Sequence, residues 1–327
     1  MSEEHQHDLT GDSRPTVGIV GGAGYTGQEL VGLLDAHGGV ELAFATSRSL
    51  AGESLPGLGI GFVDPGDAPA GDVDFLFLCV PHGEAARWVA RHAGGPRIID
   101  LTDDHRPGSG RGADAVYGLA ERYPVEIAGA RLVANPGCYP TGVLLALLPL
   151  ADAGLIDTGR LTVVNAASGV TGAGRTPKTY LLFAEVAEDY RAYGEGNRHR
   201  HLKEMRALLP GIKLLFQPHL LPVARGILET IVLPVADSAD GAEVRRAWHE
   251  AYRNSRVIEV LDDGLPGLSR VVRTDRLVLG VTDVSDAGPR VVTVVVALDN
   301  LGKGAAGQAI QNMNLMCGWE ADRGIRC

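Results

Sequence analysis

The sequence has few cysteines, and they show none of the spacings that a disulfide framework or a metal site requires. Its 327 residues include four cysteines, at positions 79, 138, 317 and 327. Small disulfide-stabilised domains have a much higher density of cysteine, and structural zinc sites use closely spaced pairs. We therefore predict reduced thiols and no metal.

Basic residues are too few for a nucleic-acid-binding protein, and apolar runs are too short for a membrane-spanning protein. The formal net charge is −10, whereas nucleic-acid binding needs a basic face. No apolar run approaches the length that spans a bilayer, and the N-terminal residues lack the apolar core of a signal peptide. We expect a soluble, cytoplasmic protein that binds neither nucleic acid nor membrane, with a disordered tail at residues 1–14.

The remaining sequence predicts two domains of different architecture. Hydrophobic residues make up 45% of the chain, which is enough for sizeable cores. Up to about residue 150, continuous apolar strands alternate with helices, which is typical of a Rossmann-type doubly wound parallel sheet. Strands then follow with fewer helices, which indicates a mostly antiparallel α+β domain. We predict domains at 15–150, joined by the C-terminal helix 301–327, and at 151–300.

A glycine-rich stretch, "GGAGYTG", lies between the first predicted strand and the first predicted helix. Gly22, Gly24 and Gly27 fit the pattern G-x-G-x-x-G in the strand-turn-helix context that binds a dinucleotide. The N-terminus of the helix favours the pyrophosphate. An ordinary glycine-rich turn is the alternative.

The end of the second predicted strand indicates which dinucleotide is bound. NAD sites usually place an acidic residue there for the ribose 2′-hydroxyl. This chain has Ser47, Arg48 and Ser49 instead, and arginine and serine suit a 2′-phosphate. The first domain is therefore predicted to bind NADP(H), unless Arg48 is only a solvated surface charge.

The stretch "NPGCYPTG", residues 135–142, places Cys138 in a stiff loop ahead of an apolar helix. Pro136 and Pro140 restrict the backbone, and Pro140 suits a first helical turn, where its missing N–H costs nothing. A helix N-terminus stabilises thiolate, so we predict a nucleophile with a pKa below the free value of about 8.5. A buried structural cysteine is the alternative.

A thiolate beside a nicotinamide indicates one class of reaction. The thiolate attacks an activated acyl carbon, a thioester forms, and hydride transfer reduces it to an aldehyde. The reaction needs a group that moves protons, and His219, at the end of the run "IKLLFQPHL", is a candidate. A structural, hydrogen-bonded histidine is equally compatible with that position.

Several cations are available for an anionic substrate. The run "SGVTGAGRTPK", residues 168–178, can wrap an anion through backbone N–H groups and its two cations, or it is a flexible surface loop. A metal site at His199 and His201 lacks a third ligand at any fixed spacing, and Arg200 between them is a substrate cation or a solvated charge. The candidates are Arg175, Lys178, His199, Arg200, His201 and Arg225.

In combination these motifs resemble one enzyme family, N-acetyl-gamma-glutamyl-phosphate reductase. The matching stretches span residues 17–314 in family order: "GGAGYTGQEL", "NPGCYPTG", "NAASGVTGAGR", "HRHLKEM", "PHLLPVARGILETI" and "DNLGKGAAGQAIQN". The pairing of "NPGCYPT" with "SGVTGAGR" is highly specific. The lysine-pathway reductase of a carrier-bound aminoadipyl phosphate shares these motifs, and aspartate-semialdehyde dehydrogenase is a more distant relative without "NPGCYPT".

The resemblance implies NADPH-dependent reduction of N-acetyl-L-glutamyl 5-phosphate to the 5-semialdehyde, with release of phosphate. It implies Cys138 as the nucleophile, His219 as the acid/base, and residues 151–300 as the substrate and oligomerisation domain of a homodimer or homotetramer. The expected cofactor-binding residues are Gly22, Ala23, Gly24, Tyr25, Thr26, Gly27, Ser47, Arg48, Ser168, Gly169 and Asn300. The expected substrate-binding residues are Arg106, Asn135, Gly172, Arg175, His199, Arg200, His201 and Arg225.

Two alternatives to this function stay open. The first is the carrier-bound aminoadipyl phosphate substrate, although an acidic carrier needs a basic rim that a net charge of −10 does not favour. The second is a non-catalytic NADP-sensing protein on the same fold, which would not need both Cys138 and His219. Asp275 stands where the family often has asparagine, so the local contacts there are open too.

Overall fold

A computed structural model describes residues 14–55, 57–110, 115–194, 196–286 and 290–327. Nearly all of the tail that we expect to be disordered, residues 1–14, lies outside the described residues. Two seven-stranded sheets organise the described chain.

The first sheet is entirely parallel, with the strand order β3-β2-β1-β4-β5-β7-β6. Its strands are β1 Thr16–Val20, β2 Glu41–Thr46, β3 Phe62–Val63, β4 Phe75–Leu78, β5 Arg97–Asp100, β6 Val116–Tyr117 and β7 Leu132–Ala134. The order reverses at β1, which pairs with β2 on one side and β4 on the other. The loops that follow β1, β4, β5 and β7 therefore meet at one edge, beside the switch point where such sheets bind ligands.

Helices cover both faces of the first sheet, which explains its continuous apolar strands. On one face lie α1 Tyr25–His37, α3 Pro124–Gly129 and α8 Gly307–Met316, whose apolar side chains share a core with β1, β4 and β5. On the other face lies α2 Ala85–Arg91. A π-helical turn, Gly302–Ala306, leads into α8. The prediction of a doubly wound parallel sheet is confirmed.

The second sheet is mixed, with the order β12-β13-β14-β11-β8-β10-β9. Four of the six pairings between its described strands are antiparallel, which confirms the mostly antiparallel architecture. Its strands are β8 Leu161–Gly169, β9 Arg191–Ala192, β10 Lys213–Leu221, β11 Ile227–Pro234, β12 Ile258–Val260, β13 Leu277–Asp283 and β14 Val291–Leu298. The remaining helices are α4 Cys138–Asp152, α5 Phe183–Val186, α6 His201–Leu208 and α7 Gly241–Tyr252.

Helix α4 belongs by its packing to the second sheet. It is buried along nearly its whole length, as expected for a helix that is apolar on every side. Trp248 and Tyr252 of α7 donate to the carbonyl oxygens of Ala146 and Leu145, at 2.8 and 2.5 Å. We propose that the domain boundary lies before Cys138 rather than after residue 150; the other predicted boundaries stay predictions.

Side chains alternate strictly along β10, and this decides which of them can reach the helices. Leu214 and Phe216 are buried in the core beneath α4, α6 and α7. Leu215, of the opposite parity, is 37% exposed. Because neighbouring side chains of a strand point to opposite faces, His219 lies on the face of Leu215 and not on the face that α4 covers.

Candidate active site

The loops at the carboxyl edge of the first sheet enclose a cavity of about 540 Å³ together with loops of the second sheet. The loops that follow β1, β4, β5 and β7 contribute to it. Of the predicted site residues, those that line it are Gly24, Tyr25, Thr26, Gly27, Arg106, Asn135, Cys138, Gly172, Arg175, Lys178, Arg200, His201 and Asn300. More than half of the predicted site residues therefore line one cavity.

Cys138 is the first residue of α4 and lies directly after the loop that leaves β7. Gly137 is the N-cap residue, and its carbonyl oxygen accepts from the backbone N and Oγ1 of Thr141, both at 2.9 Å. The thiol is partly buried, and it lines the cavity. The predicted position at a helix N-terminus is the one observed.

The thiol of Cys138 does not have the lowered pKa that we expected from its position. Burial raises its pKa to about 11, although the cations Arg200 and Arg106 and a backbone hydrogen bond at Tyr139 lower it. The helix N-terminus was the only influence visible in the sequence, and desolvation of the charged form outweighs it. Forming thiolate at neutral pH therefore requires a group that accepts the proton.

Two of the cations that line the cavity, Arg106 and Arg200, act on the thiol of Cys138. Arg106 is buried, and it donates to the carbonyl oxygens of Asn135, at 2.7 Å, and Leu101, at 3.0 Å. These bonds fix its guanidinium beside the loop that carries Cys138. Arg200 lies 3.7 Å from a carboxylate oxygen of Asp103. Together they can hold an anionic group of a substrate.

His201 lies against the loop that carries the thiol. It is 4% exposed, and a Cβ atom on Gly137 would lie only 2.7 Å from its Nε2. Its Nδ1 is buried without a hydrogen-bond partner among the described residues. Burial and the neighbouring cations Arg200 and Arg106 hold its pKa well below the usual value, so the ring is neutral near pH 7 and able to accept a proton.

The structure does not bring His219 to the same cavity. Its ring stacks on Tyr190, with 5.1 Å between the ring centroids, on the side of the second sheet away from α4. Its Nδ1 is buried, and none of the described residues is a hydrogen-bond partner for it.

The predicted substrate residue His199 packs edge-on to Tyr139, Tyr193 and Phe216. Burial, first, and then Arg200 lower its pKa to about 4.

The glycine loop after β1 has the tight packing of a dinucleotide site. A Cβ on Gly22 would lie 2.8 Å from Ala45 Cβ, and one on Gly27 would lie 2.5 Å from the carbonyl oxygen of Gly21. Larger residues at these two positions would push β2, the glycine loop and α1 apart. Gly24 is the N-cap of α1 and lines the cavity, so a helix N-terminus faces it. These residues fit a bound pyrophosphate.

The end of β2 borders a second, smaller cavity with an excess of arginine. Ser47 is buried, and its Oγ accepts from the backbone N of Leu50 at 3.1 Å. Arg48 is exposed and lines a cavity of about 340 Å³ between the end of β2 and α2. Arg87 and Arg91 of α2 line it as well, with the carboxylates of Asp64 and Glu84.

The other predicted residues lie around these cavities in different roles. Ser168 and Gly169 line an adjoining cavity of about 570 Å³, which shares Gly172 and Arg200 with the first. Arg175 lines the first cavity, and its Nη1 donates to the carbonyl oxygen of Ala23 at 2.8 Å.

The side chains of Asn300 and Arg225 bind other groups of the protein. Asn300 Oδ1 accepts from the backbone N of Gly226, and its Nδ2 donates to Thr171 Oγ1, at 2.8 and 2.9 Å. Arg225 lies between Glu29 and Asp299, at 2.8 and 2.9 Å. It is not among the residues that line the cavity of Cys138.

Sequence reasoning missed His82, which lines all three cavities around Arg200. It follows β4 closely, so the rule that ligands bind beyond the carboxyl ends of parallel strands pointed to it. Glu204 and Tyr117 were missed as well. Their contacts join segments that are distant in sequence, and no local pattern reveals such contacts.

Two other kinds of site have no candidate within the described residues. No helix there is long and apolar enough to cross a membrane. No group of three or more His, Cys, Asp or Glu side chains is placed to hold a metal ion in that part of the chain.

Both sheets lie in regions of the chain that match known protein families. Residues 16–130 match the family model of the semialdehyde dehydrogenase NAD-binding domain, and residues 138–300 match that of the semialdehyde dehydrogenase dimerisation domain. The structure is similar to aspartate semialdehyde dehydrogenase II of Vibrio cholerae, with a TM-score of 0.77 and 19% identity over 94% of this chain and 99% of that one. Fold and family models thus define a semialdehyde dehydrogenase.

Sequence relatives identify the family within the semialdehyde dehydrogenases. An N-acetyl-gamma-glutamyl-phosphate reductase of Magnetococcus marinus is 39% identical over 93% of this chain and 95% of the relative. Another, of Acidithiobacillus ferrooxidans, is 40% identical over 94% of this chain and 97% of the relative. The chain belongs to the N-acetyl-gamma-glutamyl-phosphate reductase family, and the resemblance drawn from its motifs is confirmed.

Proposed function

We propose that the protein reduces N-acetyl-L-glutamyl 5-phosphate to N-acetyl-L-glutamate 5-semialdehyde and releases phosphate. The observation that carries the proposal is one cavity lined by a helix-N-terminal thiol, a neutral histidine, three arginines and a dinucleotide-type glycine loop. The names of the sequence relatives supply the particular substrate.

Cys138 is the nucleophile in this proposal. Its sulfur attacks the acyl carbon, a C–S bond forms, and the bond between that carbon and the phosphate oxygen breaks, so that phosphate leaves. Arg106 and Arg200 bind the anionic groups of the substrate and lower the cost of charge at the acyl phosphate. NADPH, when bound, supplies the hydride that reduces the thioester carbon.

His201 is the group that moves protons. Because the pKa of the thiol is raised and that of His201 is lowered, the resting site holds a neutral thiol and a neutral imidazole. His201 accepts the thiol proton as the sulfur attacks. After the hydride has reached the thioester carbon, the C–S bond breaks, the oxygen on that carbon becomes the aldehyde carbonyl, and His201 returns the proton to the departing sulfur. His219 lies on the face of the second sheet away from α4, and this supports His201 rather than His219 for the role.

The residues present favour NADPH over NADH. Gly22, Gly24 and Gly27 would hold the pyrophosphate, and Arg48 would pair with the 2′-phosphate. One solved structure of similar fold, the Candida albicans aspartate semialdehyde dehydrogenase, is described with NADP; its TM-score is 0.68 at 18% identity. Substituting Arg48→Asp is expected to weaken NADPH binding and spare NADH binding, as measured by cofactor fluorescence. Equal affinity of the parent protein for both cofactors would contradict this assignment.

One assay tests the reaction itself. Purified protein is incubated with NADP⁺, phosphate and N-acetyl-glutamate 5-semialdehyde, and NADPH is followed by absorbance. Parallel samples contain the aminoadipate-derived semialdehyde, free and carrier-bound. Turnover only with the first compound supports the proposal, turnover only with the carrier-bound one points to the lysine-pathway reaction, and cofactor binding without turnover points to a sensor.

We also propose a homo-oligomer formed through the outer face of the second sheet. Residues 138–300 match a dimerisation domain, and Leu215 and Val232 are 37% and 39% exposed on the face away from α4. Sedimentation velocity should show a dimer or tetramer, and Leu215→Lys with Val232→Lys should shift it towards monomer. A monomeric parent protein would refute this proposal.

The cytoplasm is the location that we propose for this reaction. The cysteines at positions 79, 138, 317 and 327 are all free, which fits a reducing compartment. Fractionation of cells that express the protein would test this.

A further inference from the structure

Glu204 connects three parts of the site, although it does not line the cavity of Cys138. It lies on α6, three residues after His201, and it is 3% exposed. Its Oε1 accepts from the hydroxyl of Tyr117 at 2.5 Å and from the backbone N of Gly137 at 2.9 Å. Its Oε2 lies 3.7 Å from Nη1 of Arg106.

The bond to Gly137 ties the nucleophile loop to the helix that carries His201. Gly137 is the residue immediately before Cys138, and Pro136 on its other side has no N–H to donate. A Cβ on Gly137 would lie 2.7 Å from His201 Nε2, so the loop packs directly on the imidazole. One carboxylate therefore sets the separation between the thiol loop and the histidine.

The other two contacts hold that carboxylate in place. Tyr117 belongs to β6, at the edge of the first sheet, and is 6% exposed. Arg106 is fixed in turn by the carbonyl oxygen of Asn135, at 2.7 Å. Glu204 thus receives support from the first sheet while it sits on a helix packed against the second.

We propose that Glu204 is a positioning residue that fixes Cys138 relative to His201 by accepting the N–H of Gly137. This inference rests on the proposed function, since it assigns Glu204 a role in bringing those two groups together. A shift of about 1 Å in such an arrangement can cost about 10²-fold in rate. The length of the side chain, rather than its charge, is the property that matters.

Two conservative variants separate length from charge. Glu204→Gln keeps the length and an acceptor for Gly137 but removes the charge. Glu204→Asp keeps the charge but withdraws the acceptor by one methylene. We expect kcat to fall by about 10²-fold in the Asp variant, with KM changed less than about threefold, and to stay within about tenfold of the parent in the Gln variant.

Two further measurements keep the test decisive. Hydrogen–deuterium exchange of the peptide that contains Gly137 should become faster in Glu204→Asp and stay slow in Glu204→Gln. Tyr117→Phe removes one of the two contacts that hold the carboxylate in place but leaves the Gly137 bond, so its kcat should fall less than that of Glu204→Asp. An unfolding midpoint for each variant shows that it is folded.

The inference is overturned if the Asp variant is as active as the Gln variant, or if Gly137 exchanges equally in both. A parent protein that turns over neither semialdehyde would defeat the proposed function instead. In that case the exchange measurement still decides whether Glu204 holds the loop.

Discussion

At the scale of single residues, the environment of Cys138 determines what the thiol can do. Its place at the start of α4 and beside Arg200 favours thiolate, but burial outweighs both and raises its pKa to about 11. A neutral thiol is also protected from oxidation and alkylation, which act on the thiolate. The chemistry then depends on a neighbouring base and not on a thiolate already formed.

Substitution of the nucleophile should separate chemistry from binding. We expect Cys138→Ser to show no measurable turnover, because a hydroxyl is a far poorer nucleophile than a thiol and an oxygen ester resists hydride transfer. NADPH binding, measured by fluorescence, should be unchanged. Cys317→Ser, at the end of α8, is the control and should keep parental activity; substantial activity in Cys138→Ser would refute the covalent mechanism.

The raised pKa predicts how the thiol reacts in the absence of substrate. Below a pKa of about 11, the thiolate fraction and hence the rate of alkylation by iodoacetamide should rise about tenfold per pH unit. Mass spectrometry of the Cys138 peptide measures this rate. Arg200→Gln should slow alkylation at a given pH, because its cation lowers the pKa. A rate that levels off by pH 8 would contradict the effect of burial.

At the scale of elements, the alternation of β10 and the start of α6 decide which histidine serves Cys138. Helix α6 begins at His201 and presents it to the Gly137 loop. Strand β10 pairs His219 with Ala167 of β8 and Ala192 of β9, and its side chain faces away from α4. A shift of one residue along β10 would exchange the two faces, so the assignment depends on the register.

Paired histidine variants test this assignment. His201→Asn should lower kcat by about 10²–10⁴-fold, the usual contribution of a positioned acid/base. His219→Asn should keep activity within about tenfold of the parent, because its ring lies on the other face of the sheet. Steady-state kinetics measures both. The reverse order of effects would restore His219 as the acid/base and show that His201 is structural.

At the scale of the whole molecule, an ion-pair network ties the first helix to segments near the end of the chain. Arg225 pairs with Glu29 of α1 and with Asp299, and Arg326 pairs with Glu29 and Asp275. Burial by itself would raise the pKa of Glu29, but the two guanidinium groups lower it below its usual value. Asp275, which departs from the family pattern, accordingly has a structural partner in Arg326.

Breaking this network should lower stability more than any surface ion pair. We expect Arg225→Gln to reduce the free energy of unfolding by about 3 kcal/mol, because it leaves the fully buried carboxylate of Asp299 without its cation. Urea denaturation measures the change. Arg246→Gln, at an exposed pair with Glu243, is the control and should cost less than about 1 kcal/mol. Equal losses would show that the network contributes no more than surface charges do.

The sequence by itself determined the two architectures, the glycine loop, the helix after Cys138 and the family. These features follow from local patterns: apolar runs of strand and helix length, glycines required at a tight turn, and motifs in order along the chain. The first helix, for example, follows the glycine loop directly, as predicted, and runs from Tyr25 to His37. Such patterns can be interpreted from the sequence alone because each depends on neighbours within a few residues.

Only the tertiary structure decided the burial of the thiol, the face of His219, the framework role of Arg225 and the contacts of Glu204. Each of these depends on segments far apart in sequence: Glu204 meets Gly137 across 67 residues and Tyr117 across 87. Desolvation and strand register are properties of the packed molecule, and desolvation reversed the pKa shift that the helix N-terminus alone had predicted for Cys138.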